Sequence, residues 1–168
     1  MIALLKDLVL IESPSTDADS QAAILQRLQA EFEQVGYRVT RLSARNCGGH
    51  LYATPAARPR RLPAQLMIGH CDTVWPLGTL QTMPLVSADG SLRGPGVYDM
   101  KAGLVQMIYA LKSIHVLGLK TPVVPLCFIN SDEEIGSRES TRYLRALAQH
   151  VERCLVLEPS LGRSGKIK

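Results

Sequence analysis

Apolar positions along this chain switch between two periods. Between residues 17 and 35, Ile24, Leu25, Leu28, Phe32 and Val35 recur at helical spacing, and Gly36 stands where a helix C-terminus is expected. A short amphipathic helix is predicted before it, over residues 2–11, ended by Pro14. Residues 37–42 alternate and read as a strand, with residues 51–54 as its neighbour. Residues 65–71, QLMIGHC, read as a central strand, and Asp89-Gly90 marks a turn between two short extended pieces in residues 85–93. Helical spacing returns over residues 99–117, where Leu104, Met107, Ile108, Leu111 and either Ile114 or His115 share one side and Gly118 ends the run. Residues 122–129 are nearly continuous in apolar side chains, the pattern of a strand buried on both faces. Ser137 is expected to cap a helix reaching about residue 151, and residues 154–157 to form a further buried strand.

Strands that alternate with helices in this order predict an α/β sheet covered on both faces. The 168 residues suit one ordinary domain, and 46% hydrophobic against 20% charged residues suffices to bury a core, an aliphatic one since aromatics are only 5%. The net charge of +4 is concentrated in part in Arg58-Pro59-Arg60-Arg61, which without interleaved aromatics reads as a solvated loop, so no nucleic-acid partner is expected. Cys47, Cys71, Cys127 and Cys154 form no C-x-x-C pair and read as neither a disulfide framework nor a structural zinc signature, which favours a reducing cytoplasm. The N-terminus carries Lys6, Asp7 and Glu12 within its apolar stretch, unlike a signal peptide, and no apolar run of about 18 residues offers a membrane span.

Chemistry concentrates in four stretches. FINSDEEIGS (residues 128–137) sets Asp132, Glu133 and Glu134 side by side, either as a solvated loop or as a site where a metal ion or a proton holds the acids together. In GHCDTV (69–74), strand alternation sends His70 and Asp72 to one side and Cys71 to the other. Neutral histidine is a good zinc ligand whose second nitrogen is commonly held by a carboxylate. In GPGVYDMKAGL (94–104), a constrained glycine-rich path leads to Asp99, with Lys101 and Gly103 close behind; an N-cap aspartate is the simpler reading of Asp99 alone. In CLVLEPS (154–160), Glu158 ends a hydrophobic strand. All four lie at or beyond predicted strand C-termini, the edge where open α/β sheets bind ligands. His70, Asp99, Glu133 or Glu134, and Glu158 can converge there, a set suited to zinc or a similar divalent ion and to metal-assisted hydrolysis. Gly94-Pro95-Gly96 is no dinucleotide fingerprint, because position 99 is Asp, and Gly165-Lys166 is no phosphate loop, because Ser160 stands five residues before Gly165.

In this order, GHCDTV, GPGVYDMKAGL, SDEEIGS and LEPS resemble the signatures of the metal-dependent carboxypeptidase and deacylase family. That family includes glutamate carboxypeptidase, aminoacylase, acetylornithine deacetylase and succinyl-diaminopimelate desuccinylase. GHCDTVWPLGTL and DEEIGSRES look closest to the glutamate carboxypeptidase-like branch. The resemblance implies a zinc-exopeptidase-like, three-layer helix–sheet–helix domain with a mostly parallel sheet. It implies two zinc ions per complete site, with cobalt or manganese as substitutes. His70 would bind one metal and Asp72 would orient it; Asp99 would bridge the two; Glu134 would bind the second; Glu158 would join His70; Glu133 would be the general base. The expected substrate is a small peptide or N-acyl amino acid, with release of a C-terminal glutamate one instance.

Family members are longer. The resemblance implies that residues 1–168 are the N-terminal part of the catalytic domain. A second domain, often used for homodimerisation, and a C-terminal part carrying a distal histidine would lie beyond them. His50, His115 and His150 are the other histidines, and none lies in a matching motif. Three readings follow: part of a two-metal amide hydrolase, a metal-binding domain without turnover, and a structural or partner-binding α/β domain that keeps the motifs as relics.

Overall fold

The computed structural model describes residues 1–59, 61–162 and 164–166. Two helices open the chain, α1 (Ile2–Val9) and α2 (Gln21–Gln34), followed by three strands, β1 (Tyr37–Leu42), β2 (His50–Pro55) and β3 (Ala64–His70). A short α3 (Thr79–Thr82) and the hairpin β4 (Val86–Ala88) and β5 (Ser91–Arg93) lead to α4 (Ala102–Val116). The chain then runs through β6 (Val124–Asn130), α5 (Thr141–Ala148) and β7 (Arg153–Val156).

The main sheet has the order β1-β2-β6-β3-β7. β3 pairs in parallel with both β6 and β7, whereas β2 pairs antiparallel with both β1 and β6, so β2 alone runs against the other strands. Period-two alternation sorts the side chains. Cys127 and Ile129 of β6 and Met67 of β3 join α1, α2 and α4 in the larger core, while Leu126 and Phe128 with Leu66 face α5 in the smaller one. His70 shares the parity of Leu66 and Ile68 and so emerges on the α5 face; Cys71, fully buried, joins the larger core on the other side. No described helix is long and apolar enough to cross a membrane.

Several expectations are corrected. β7 was expected to be buried, yet all four of its residues are exposed, with Val156 at 57%. It is the sheet's outer strand, hydrogen-bonded to β3 on one side, and an apolar run signals a preference for burial without supplying a cover. Asp99 does not open a helix: its backbone is extended (φ −116°, ψ 104°), and α4 begins at Ala102. Ser137 does not cap α5; it has φ +52°, its N–H donates to Asp132 O, and α5 starts four residues later. α3 carries no periodic signal and was not foreseen. In the basic stretch Arg58, Pro59 and Arg61 are exposed, and Arg60 lies outside the described residues, as do Arg163, Ile167 and Lys168 near the end.

α2 and α4 are joined by one buried carboxylate. Glu31 is 4% exposed and is ion-paired with Arg27 of its own helix and Lys112 of α4. Burial alone would raise its pKa, but the two cations outweigh that and hold it below the ordinary 4.5. Its contribution is therefore complete above pH 4.5 and fades as the pH falls through the depressed value. Glu31→Gln should destabilise the fold by about 1–2 kcal/mol at neutral pH. In urea titrations, that difference from the unsubstituted protein should close on acidification below pH 4.5.

Candidate metal centre

The parallel strands β3 and β6 end side by side, with His70 opposite Asn130. Beyond them the chain turns into two loops, and Asp72 is the point where these meet. Its side chain is fully buried. One carboxylate oxygen accepts the Glu133 N–H at 3.2 Å; the other accepts the Glu134 N–H at 3.1 Å and the Ser15 hydroxyl at 2.7 Å. Burial would raise the Asp72 pKa, but His70, Ser15 and these amides hold it below the usual carboxylate value.

His70 is clamped by the same residue. Its Nδ1 lies 2.9 Å from Asp72 O and 3.4 Å from Asp72 Oδ1. Both oxygens are acceptors, so Nδ1 carries a proton, and in the neutral form of the ring the Nε2 lone pair points into the cleft. Around Nε2 stand Asp99 Oδ1 at 3.1 Å, Glu158 Oε1 at 3.5 Å and Glu133 Oε2 at 3.9 Å. Glu134 joins His70 and Asp99, with one donor atom from each within 4.8 Å of the others; His70, Glu133 and Glu158 meet the same limit. These residues line a cleft of about 550 Å³ at the C-terminal edge of the parallel strands. A larger apolar hollow of about 680 Å³, bordered by Tyr37 and Val124 where β1 and β6 begin, lies at the opposite edge and has no carboxylate among its described lining.

Local structure explains each placement. Gly96 (φ +66°) carries the GPG loop past Thr73, whose Cγ2 would lie 2.7 Å from an added Cβ. Gly103 lets α4 approach the segment holding Glu158, since a Cβ there would meet Leu157 O at 2.1 Å. Lys101, 2% exposed, ties the Asp99 loop to the segment after α1 by donating from Nζ to Ile11 O at 2.8 Å, and burial lowers its pKa to about 8. Sequence inspection gave Lys101 and Ser15 no role, because each acts on a segment distant in the chain and neither sits in a periodic pattern. The three adjacent acids divide by direction. Asp132, 1% exposed, turns inward and accepts the Glu139 and Ser140 N–H groups at the start of α5, while Glu133 and Glu134 face the cleft.

Electrostatically the cleft is dominated by carboxylates. Burial raises the pKa of Glu134 and of Glu158, and neighbouring Asp99 and Glu133 add to both shifts. Burial alone would lower His70, but Asp72, Glu158 and Glu133 together raise it to about 9. One oriented imidazole among carboxylates that oppose one another's ionisation is a donor set that fits a borderline divalent ion such as zinc, cobalt or manganese.

Residues 66–168 match peptidase family M20/M25/M40. The chain belongs to this family. Over 98% of its length it is 30% identical to carboxypeptidase G2 of Pseudomonas sp. (strain RS-16), covering 42% of that enzyme. Over 90% of its length it is 30% identical to succinyl-diaminopimelate desuccinylase of Xylella fastidiosa (strain M12), covering 41% of it. Its fold matches human carnosine dipeptidase 1 (TM-score 0.82, 19% identity, 95% of this chain and 38% of that one). It also matches an M20 family metallo-carboxypeptidase of Sulfolobus solfataricus (TM-score 0.81, 16% identity, 98% and 38%). This M20 chain thus spans about two-fifths of the length of these relatives.

Asp72→Asn places an amide where several donors converge and should cost about 2–4 kcal/mol. Chemical denaturation should show that loss in metal-free protein, since the donors to Asp72 belong to the chain itself.

Proposed function

We propose that this chain carries most of the metal site of a hydrolase that cleaves amide bonds in small peptides or N-acyl amino acids. The observation that supports it most directly is the His70 ring, clamped at Nδ1 by Asp72, with Nε2 within 3.1–3.9 Å of the carboxylates of Asp99, Glu158 and Glu133. In this reading His70 and Glu158 would hold one ion and Glu134 the other, with Asp99 serving both. Zinc bound there supplies Lewis acidity and offsets the charge of the acid cluster. Glu133, 45% exposed at the mouth of the cleft, takes the proton from the attacking water and returns it to the leaving amine. Asp72 keeps the His70 tautomer and aims the ring. A carboxypeptidase and a desuccinylase among the relatives support an amide substrate carrying a carboxylate.

Glu133→Gln should retain bound metal while kcat falls by several orders of magnitude in a chain that includes the rest of the catalytic machinery; Glu134→Gln should instead lower metal occupancy. Equal metal loss in both variants, with normal turnover in the first, reverses the two assignments.

We assign residues 1–168 to the N-terminal part of a catalytic domain, a reading supported by the two-fifths coverage of the relatives. A second reading, metal binding without turnover by the 168-residue polypeptide, is favoured by the unequal ligand sets. His70, Asp99 and Glu158 make three donors, whereas the second ion has Asp99 and Glu134 among the described residues. Zinc analysis after equilibrium dialysis should show that Asp99→Asn lowers the content by about one ion per chain rather than two. The polypeptide alone should release little product from an N-acyl glutamate; normal turnover would overturn this reading.

A further inference from the structure

Behind the acid row, on the α5 face of the sheet, lies a second set of donors that the proposed reaction does not use. His50, the first residue of β2, is 1% exposed, and neither ring nitrogen has a hydrogen-bond partner among the described residues. The ring sits beside Phe128 and Tyr143, with centroids 5.8 and 5.7 Å away. Leaving such polar atoms buried and unmatched is destabilising. Cys47 (5% exposed) and Asp132 (1%) complete the group, and one donor atom from each of Cys47, His50 and Asp132 lies within 4.8 Å of the others. Because His50 hydrogen-bonds to neither, this is not a hydrogen-bonded triad. Asp132 Oδ2 is engaged by the Glu139 and Ser140 amides, while Oδ1 has one long contact, 3.5 Å from Asn130 Nδ2.

We propose that Cys47, His50 and Asp132 form a separate divalent-cation site, of the zinc type, that fastens β2 to the loop bearing Glu133 and Glu134. A thiolate and a carboxylate cancel the charge of a dication, and a neutral imidazole adds none, so the loaded site is uncharged where net charge is costly. Burial keeps His50 neutral and holds the Cys47 thiol above its ordinary pKa, so the ion replaces the thiol proton on binding. The soft sulfur selects zinc, cobalt or cadmium over magnesium or calcium, and three protein donors leave one position for a water. Asp132 directly precedes the two glutamates of the cleft, so its capture fixes the backbone that presents them.

Cobalt(II) titration of the metal-free protein tests this through the thiolate-to-cobalt charge-transfer band in the near ultraviolet. No cysteine lines the cleft, so the band cannot come from that site. The band should saturate and persist in Cys154→Ser and in the double variant Asp99→Asn/Glu158→Gln. It should vanish in Cys47→Ser and require about tenfold more cobalt in His50→Gln. No band, or a band that survives Cys47→Ser or disappears with Cys154→Ser, overturns the proposal. His50→Phe preserves the aromatic packing; if it keeps the band at unchanged affinity, His50 serves only as a ring in that cluster and the proposal fails. Should Cys47→Ser not fold, cadmium NMR of the unaltered protein decides: a sulfur-coordinated shift upholds the site, and a shift of oxygen and nitrogen donors alone refutes it.

Discussion

Asp72 holds the candidate centre together. A fully buried carboxylate is tolerable only if its oxygens are matched, and here the partners are the neighbouring His70 at the end of β3 and two groups distant in the chain, Ser15 after α1 and the amides of Glu133 and Glu134 after β6. Satisfying that one group fixes the ring tautomer of His70, the path of the acid loop and the seating of the N-terminal segment. Removing any partner would leave charge in an apolar setting, so these segments are coupled energetically as well as spatially.

The same economy explains how adjacent acids coexist. Asp132 turns into the protein and binds amides at the start of α5, while Glu133 and Glu134 turn outward to a cleft where the remaining negative charge is offset by His70 or by a bound cation. The Cys47–His50–Asp132 group sits at the back of that loop. The loop is thus bordered by titratable donors on both sides, and its geometry depends on how each set is satisfied.

Sheet order turns these local features into a site. With β3 next to β6 and β7, the residues after three parallel strands reach one edge; β2, running the other way, begins at that edge and places His50 behind the acid loop. β7 brings Glu158 to within 3.5 Å of His70 while remaining exposed itself, because its position as the outer strand serves the site without enclosing its own apolar side chains.

Where local preference decides, the chain alone was enough. The bounds of β1, the Gly36 helix end and the Asp89-Gly90 turn, with φ of 52° and 70°, follow from short-range sterics and periodicity. The four acid and histidine motifs, and their place at strand ends, were legible for the same reason, and alternation in β3 separated His70 from Cys71. Other features depended on partners far along the chain. The extended backbone at Asp99, Lys101 donating to Ile11, Ser15 reaching Asp72, the exposure of β7 and the burial of His50 all arise from which segments the sheet order brings together. Periodicity records what a residue prefers for a neighbour; only the tertiary structure decides which neighbour it receives.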